Sequence, residues 1–345
     1  QVESADITLK NPTKTGYQFV GWTGSNGSTA QTTVKIAKGS TGNKSYTANW
    51  KANTVYIAYG VNGGAVSSST YSVNQYGYVQ NASNNPWFHS VQYGKKDDMY
   101  NASTLGLTKN GYSFAYWQNE KTGTKYQQDD VYESTNFYGD NTSQTAANTA
   151  DVRCYVKAIW TPINYAITYD LAGGSISGQK TSYNIETANF TLPTPVRKGY
   201  TFAGWTGTGL SSATKSVTVA KGSTGARSYT ATWAKDTYTI SYNLNGGSVT
   251  GNPTSYQVDT ADITLKNPSK TGYSFAGWTG SNGTTAQTTV KIAKGSAGNK
   301  SYTANWTANT YTYNIKYVSK SGVALGTATV SGTFGSSKNV VAPAK

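Results

Sequence analysis

Residues 6–50 and 262–306 carry the same 45-residue text, altered only at Thr13/Ser269, Gln18/Ser274, Val20/Ala276, Ser28/Thr284 and Thr41/Ala297. The dipeptide Gly-Trp recurs at Gly21-Trp22, Gly204-Trp205 and Gly277-Trp278, and a second tryptophan closes each copy at Trp50, Trp233 and Trp306. Trp205 to Trp278 and Trp233 to Trp306 are both steps of 73 residues. A period of that length is a small domain, longer than the roughly 20–50-residue turn of a solenoid. Each copy must therefore close its own core.

Composition says what such a core is made of. Charged residues are 13% of the chain, about half the usual share of roughly 25%. Apolar residues are scarce as well, their place taken by Thr, Ser, Asn, Gly and Tyr. One large core is excluded; several small ones, each anchored by aromatic side chains that bury much area per residue, are not. No run approaches the roughly 18 apolar residues of a membrane span. Gln1 opens no signal peptide, so the chain reads as a processed or excised segment. Cys154 is the single cysteine, which excludes an intrachain disulfide and suits a protein exposed to oxidants.

Period-two alternation runs through each copy. In TYTISYNLNGG, Tyr238, Ile240, Tyr242 and Leu244 share one face, and Asn-Gly-Gly then signals a tight turn. A second strand is expected around Ser255–Val258, then a proline-containing turn, an aromatic strand with Tyr273 and Phe275, and two more strands in TTVKIA and SYTANW. The only helical turn expected is near ADITL. Tyr273, Phe275, Trp278 and Trp306 are the expected core, with Gly272 and Gly277 at turns or close approaches.

These boundaries divide the chain into residues 1–52, a unit lacking its first strand; 53–161, a variant; 162–235 and 236–308, regular units; and 309–345, the start of another. Linkers are nearly absent, so a semi-rigid rod of modules, each on the order of 30 Å across, is expected.

The stretches NPTKTGYQFVGW (11–22), PVRKGYTFAGW (195–205), NPSKTGYSFAGW (267–278) and, more loosely, LTKNGYSFAYW (107–117) resemble the Listeria–Bacteroides repeat, also called the internalin B-repeat family. The resemblance covers nearly the whole chain. It implies a mainly β, ubiquitin-like β-grasp fold, tandem placement on the surface of mostly Gram-positive bacteria, and a role as stalk or adhesive segment. It supplies no catalytic residues. Residues 309–345 are also similar to the opening of a MucBP-like module.

The 53–161 unit departs from the pattern by two insertions of 22 and 15 residues. It holds eight of the fifteen acidic and seven of the twenty-nine basic residues, a net −1 that leaves +15 for the rest. Lysines elsewhere suit a solvated sheet edge or attraction to anionic wall polymers. The first insertion mixes Tyr, Trp and Asn, a combination suited to stacking on sugars or docking a protein. Trp87, Phe88, His89 and Tyr93 are the candidate ligand residues, against the alternative that they form a satellite core. The acid pairs Asp97-Asp98 and Asp129-Asp130, and Asp140 beside Asn141, lack the spacing of a calcium loop and read as solvated.

His89 is the only histidine, so a Ser-His-Asp or Cys-His arrangement would have to use it. No serine elbow accompanies it, and the alternation in VRCYVKAIW makes Cys154 a small buried hydrophobe. No metal spacing, phosphate loop, cofactor fingerprint or nucleic-acid motif is present. The expectation is a non-enzymatic, extracellular array without metal or cofactor. Its partners would be a glycan, mucin, host surface protein or wall polymer, with strand exchange between chains as the alternative.

Overall fold

The computed structural model describes residues 3, 5–127, 131–140 and 151–341. Asp129, Asp130, Asn141 and the last four residues lie outside these. Contacts divide the chain into two units: Gln1–Tyr165 with Ser182–Asn189 and Ala220–Gly225, and Ala166–Thr181 with Phe190–Val219 and Ala226–Lys345.

In the second unit, residues 236–308 show how one repeat is built. The alternating stretch forms the opening strand Thr237–Asn243. The NPSKTGYSFAGW motif leads into the aromatic strand Tyr273–Gly280, and KSYTANWTA forms the closing strand Lys300–Ala308. The sheet order is Ser255–Gln257, opening, closing, aromatic, then Gly283–Gln287. Opening and closing strands pair in parallel, with Ile240 opposite Lys300 and Tyr242 opposite Tyr302. Closing and aromatic strands pair antiparallel, with Phe275 opposite Trp306. The four main strands thus stand in the order second, first, fourth, third, with the repeat's first and last main strands side by side.

Trp278 is fully buried at the centre of Ile240, Tyr256, Leu265, Val290, Ile292, Tyr302 and Ala304. Burying one such aromatic contributes at most about 4–6 kcal/mol by area. The Asn-Gly-Gly turn is shaped by the other tryptophan. Trp306 Nε1 donates to the Leu244 carbonyl at 3.0 Å, and its ring lies against Gly247, where a Cβ would sit 2.4 Å from Cζ2. Trp233 and Trp160 repeat the bond, to Leu171 and Val61, also at 3.0 Å.

A bulge between Phe275 and Gly277 interrupts the aromatic strand. Asn305 Nδ2 donates to the Gly277 carbonyl at 3.1 Å and to Thr279 Oγ1 at 2.9 Å. In the preceding repeat the hydroxyl of Thr232 donates to the Gly204 carbonyl at 2.6 Å. That repeat has the strands Tyr165–Asp170, Arg227–Lys235 and Tyr200–Gly207 in the same parallel and antiparallel relation. Thr310–Val318 forms a long hairpin with Ala324–Thr333.

The first unit contains the hairpin and closing strand of residues 1–52: Gly27–Gln31, Tyr17–Gly24 and Tyr46–Ala52. It also contains a five-stranded sheet whose centre is the parallel pair Thr54–Gly60 and Val152–Pro162.

Two local expectations are corrected. ADITL is not a helical turn: Ile263–Thr264 pairs antiparallel with Lys291–Ile292, because β-branched residues opposite a partner strand favour extension. TTVKIA contributes only that two-residue strand, while the unpredicted strand Gly283–Gln287 continues the sheet. The helix among the described residues is Ser134–Asp140, in the second insertion of the 53–161 segment. Among the described residues no helix is long and apolar enough to cross a membrane.

Candidate functional site

The 53–161 segment places its parallel strands so that alternate residues face opposite ways. Val55, Ile57, Tyr59, Val152, Cys154 and Val156 enter the core. Arg153 and Tyr155 stand on the other face, opposite Tyr56 and Ala58. The first insertion folds over this outer face. Tyr71–Val73 pairs with Val79–Asn81, and the turns that follow carry Trp87 to the sheet. Asn81 and Asn85 hold those turns: Asn81 Oδ1 accepts from the amides of Ser83 and Asn85 at 3.0 and 3.1 Å, and Asn85 Oδ1 from Trp87 at 2.9 Å.

The result is a concavity of about 940 Å³, lined by aromatic and amide groups. Trp87 and Tyr155 meet edge to face at 5.0 Å between ring centroids, and Tyr78 lies 5.2 Å from Tyr155. The Arg153 guanidinium sits over the Trp87 ring at 5.2 Å. Tyr76 is 75% exposed at the rim. Asn74, Gln80 and Asn84 supply amides. Outside the lining, Glu120 accepts from the Tyr78 hydroxyl at 3.1 Å. Burial, followed by the nearby Glu120 carboxylate, pushes the Tyr78 phenol up to about 12. That hydroxyl therefore stays protonated and fixed as a donor. Fixed aromatic faces flanked by amides can stack on the C–H faces of a sugar ring while hydrogen-bonding its hydroxyls.

The four candidate residues occupy three different environments. Trp87 lines the concavity. Phe88 packs on the core, 5.2 Å from Tyr71 and 6.4 Å from Tyr59. His89 is buried, stacked on Tyr100 at 4.4 Å between ring centroids and bonded edge-on by the Tyr59 hydroxyl. Tyr93 meets Tyr17 edge to face at 5.5 Å.

The His89 surroundings form a closed network. Asp97 accepts from Nε2 at 3.1 Å, so Nδ1 is the acceptor for the Tyr59 hydroxyl at 2.5 Å. Tyr59 in turn accepts from the Tyr100 amide at 3.2 Å. The neutral imidazole thus has both nitrogens engaged. Burial holds the His89 pKa below its usual value, outweighing the pull of Asp97 in the other direction. Cys154 is buried among the apolar side chains and accepts from Asn119 Nδ2 at 3.2 Å.

Tyr76, Tyr78, Arg153 and Tyr155 escaped the sequence reading. For two of them a signal was present: the alternation that turns Cys154 inward turns Arg153 and Tyr155 outward, beneath the insertion.

The comparisons with known proteins agree with the repeated architecture. Residues 165–230 and 238–304 match the Listeria-Bacteroides repeat domain, and residues 1–54 match the divergent InlB B-repeat domain. A protein named as a Gly-rich membrane protein in Evansella cellulosilytica is 25% identical over 269 residues. The alignment covers 78% of this chain and 28% of that relative, so the chain spans less than a third of its length. No solved structure matches the chain. These repeat domains are typical of bacterial surface proteins and are generally non-enzymatic. The chain thus contains two copies of the Listeria-Bacteroides repeat domain and one divergent InlB B-repeat domain.

Proposed function

We propose that this chain is a non-enzymatic segment of a bacterial cell-surface adhesin, in which the regular repeats space and present a saccharide-binding site on residues 53–161. The single observation that carries this reading is the concavity of Trp87, Tyr155, Tyr78 and Tyr76. It is built by the insertion that sets this segment apart, and its lining suits a neutral glycan. We read each repeat as β-grasp-like, from its central parallel pair and its strand order. Duplication gains reach for a spacer and avidity for a weak binder, whereas catalysis gains little from it. The +15 charge outside residues 53–161 favours a second, salt-sensitive attraction to anionic wall polymers.

The test is a glycan and mucin binding screen of the whole chain beside its Trp87→Ala and Tyr155→Ala variants. Binding by the parent that falls at least tenfold in both variants supports the reading. A parent that binds no glycan, or variants that bind equally well, overturns it.

A further inference from the structure

Each repeat contains a Lys/Arg-x-Gly-Tyr step just before its aromatic strand: Lys14 to Tyr17, Lys109 to Tyr112, Arg197 to Tyr200 and Lys270 to Tyr273. The backbone closes it each time, with the tyrosine amide donating to the Lys or Arg carbonyl at 3.0–3.1 Å. The cation covers the tyrosine ring at 3.8–4.6 Å from its centroid. The glycines have φ of 75–78°, the left-handed region a turn here requires. A turn alone would tolerate Asn there, and these positions have a second constraint.

A Cβ on any of the four would collide with a side chain from the following repeat. On Gly16 it would lie 2.3 Å from Tyr93, on Gly111 2.7 Å from Ile185, on Gly199 2.6 Å from Val258 and on Gly272 2.2 Å from Phe334. The backbone at the same place is tied across the boundary. The amides of Asn53, Ile163, Asp236 and Asn309, each at the crossing between repeats, donate to the carbonyls of Gly16, Gly111, Gly199 and Gly272 at 2.9–3.1 Å. At two crossings the following repeat binds the same residue from its other side: Tyr93 N–H donates to Asn53 and Phe334 N–H to Asn309, both at 2.9 Å. Polar contacts add to this. Tyr112 donates to Glu186 at 2.8 Å, and Lys235 pairs with Asp259 at 2.5 Å.

We propose that this glycine is a docking socket for the next repeat, filled by one aromatic or β-branched side chain, and that the docked pair, not the linker's shortness, fixes each crossing. The partner surface is the edge of the following repeat that carries Tyr93, Ile185, Val258 or Phe334. A socket–plug contact makes the crossing two-state, docked or swivelling, where a short linker alone would only limit its range.

Hydrogen exchange of the full chain tests this at the third crossing, read at the Asp236 amide. Val258→Asp and the milder Val258→Ala remove the plug without touching the glycine's φ. Gly199→Ala blocks the socket. Gly209→Ala is the control, with φ 74° but no atom within 4 Å of its Cβ. The expected result is that Asp236 exchanges at least tenfold faster in Val258→Asp and Gly199→Ala, and less so in Val258→Ala. The amides of the flanking strands 227–233 and 273–280 keep their protection, and Gly209→Ala leaves Asp236 unchanged. The proposal is overturned if Asp236 stays protected in both Val258 variants. It is equally overturned if Gly209→Ala accelerates Asp236 as much, or if both Val258 variants unprotect the flanking strands.

Discussion

The ring of Trp306 occupies the space that a side chain at residue 247 would need: a Cβ on Gly247 would stand 2.4 Å from its Cζ2. The same ring donates to the Leu244 carbonyl. Replacing Gly247 with Ala therefore forces either the turn or the indole to move. The expected cost is about 1–3 kcal/mol, the usual penalty of overpacking. Hydrogen exchange of the strand Lys300–Ala308 in the variant chain reads it, and unchanged protection there refutes the prediction.

Asn305 and Thr232 do the same task at equivalent bulges with different side chains. Asn305→Thr should consequently stay within about 0.5 kcal/mol of the parent, while Asn305→Ala loses about 1 kcal/mol, the net worth of a typical hydrogen bond. Equal losses in the two variants, measured by denaturant dependence of exchange in residues 236–308, would refute the equivalence.

The core tryptophans differ in one bond. Trp117 Nε1 donates to the Tyr100 carbonyl at 2.8 Å, supplied by the first insertion, whereas Trp278 Nε1 meets no acceptor among the described residues. Substitution by Phe removes similar volume at both sites. Trp117→Phe should cost about 1 kcal/mol more than Trp278→Phe, since only there is a hydrogen bond broken. A reversed order, measured by exchange of each segment's closing strand, contradicts this account.

His89 makes the 53–161 segment acid-sensitive. Its pKa is lowered in the folded state, so the unfolded chain takes up a proton first, near the usual value of about 6.5. The stabilisation is fully present above that pH and is lost as pH falls from there toward the folded-state pKa. Exchange of Thr54–Gly60, corrected for intrinsic rates, should show weaker protection at pH 5 than at pH 7.5. His89→Gln should flatten that dependence. A parent whose stability does not change over this window rules the mechanism out.

At alkaline pH the sign reverses for the phenols. Burial raises Tyr78 and Tyr242 to about 12, and for Tyr78 the Glu120 carboxylate assists. The unfolded chain then loses protons first, so stability falls as pH rises from about 10 toward 12. Ultraviolet titration should show tyrosines ionising late, in step with loss of exchange protection. A single transition near pH 10 with the fold intact would exclude it.

The strands of the regular repeats were legible because period-two alternation and the Asn-Gly-Gly turn are local signals: Thr237–Asn243 and Ser255–Gln257 fall where the pattern puts them. Gly283–Gln287 was not legible, since its five residues are exposed or polar and owe their extension to pairing with Trp278 and Gly280. At the site, Trp87 could be picked from its composition-rich insertion. Its neighbours Arg153 and Tyr155 lie more than sixty residues away in sequence, and only the parallel pairing of the closing strand brings them together. Phe88 and His89, adjacent to Trp87, face the core instead: Trp87 lies in the turn before the strand His89–Gln92, so no strand alternation could assign these three neighbours from sequence.

The crossings also give the array a direction. The glycine always lies on the earlier repeat and the residue that covers it on the later one, as with Gly199 and Val258 or Gly272 and Phe334. A chain emerging amino end first presents an uncovered hollow until its successor has been synthesised, and each repeat is finished by the one behind it. Reordering the copies would then bring a different covering side chain to each glycine, with Val258 or Ile185 replaced by a ring such as Phe334 or Tyr93.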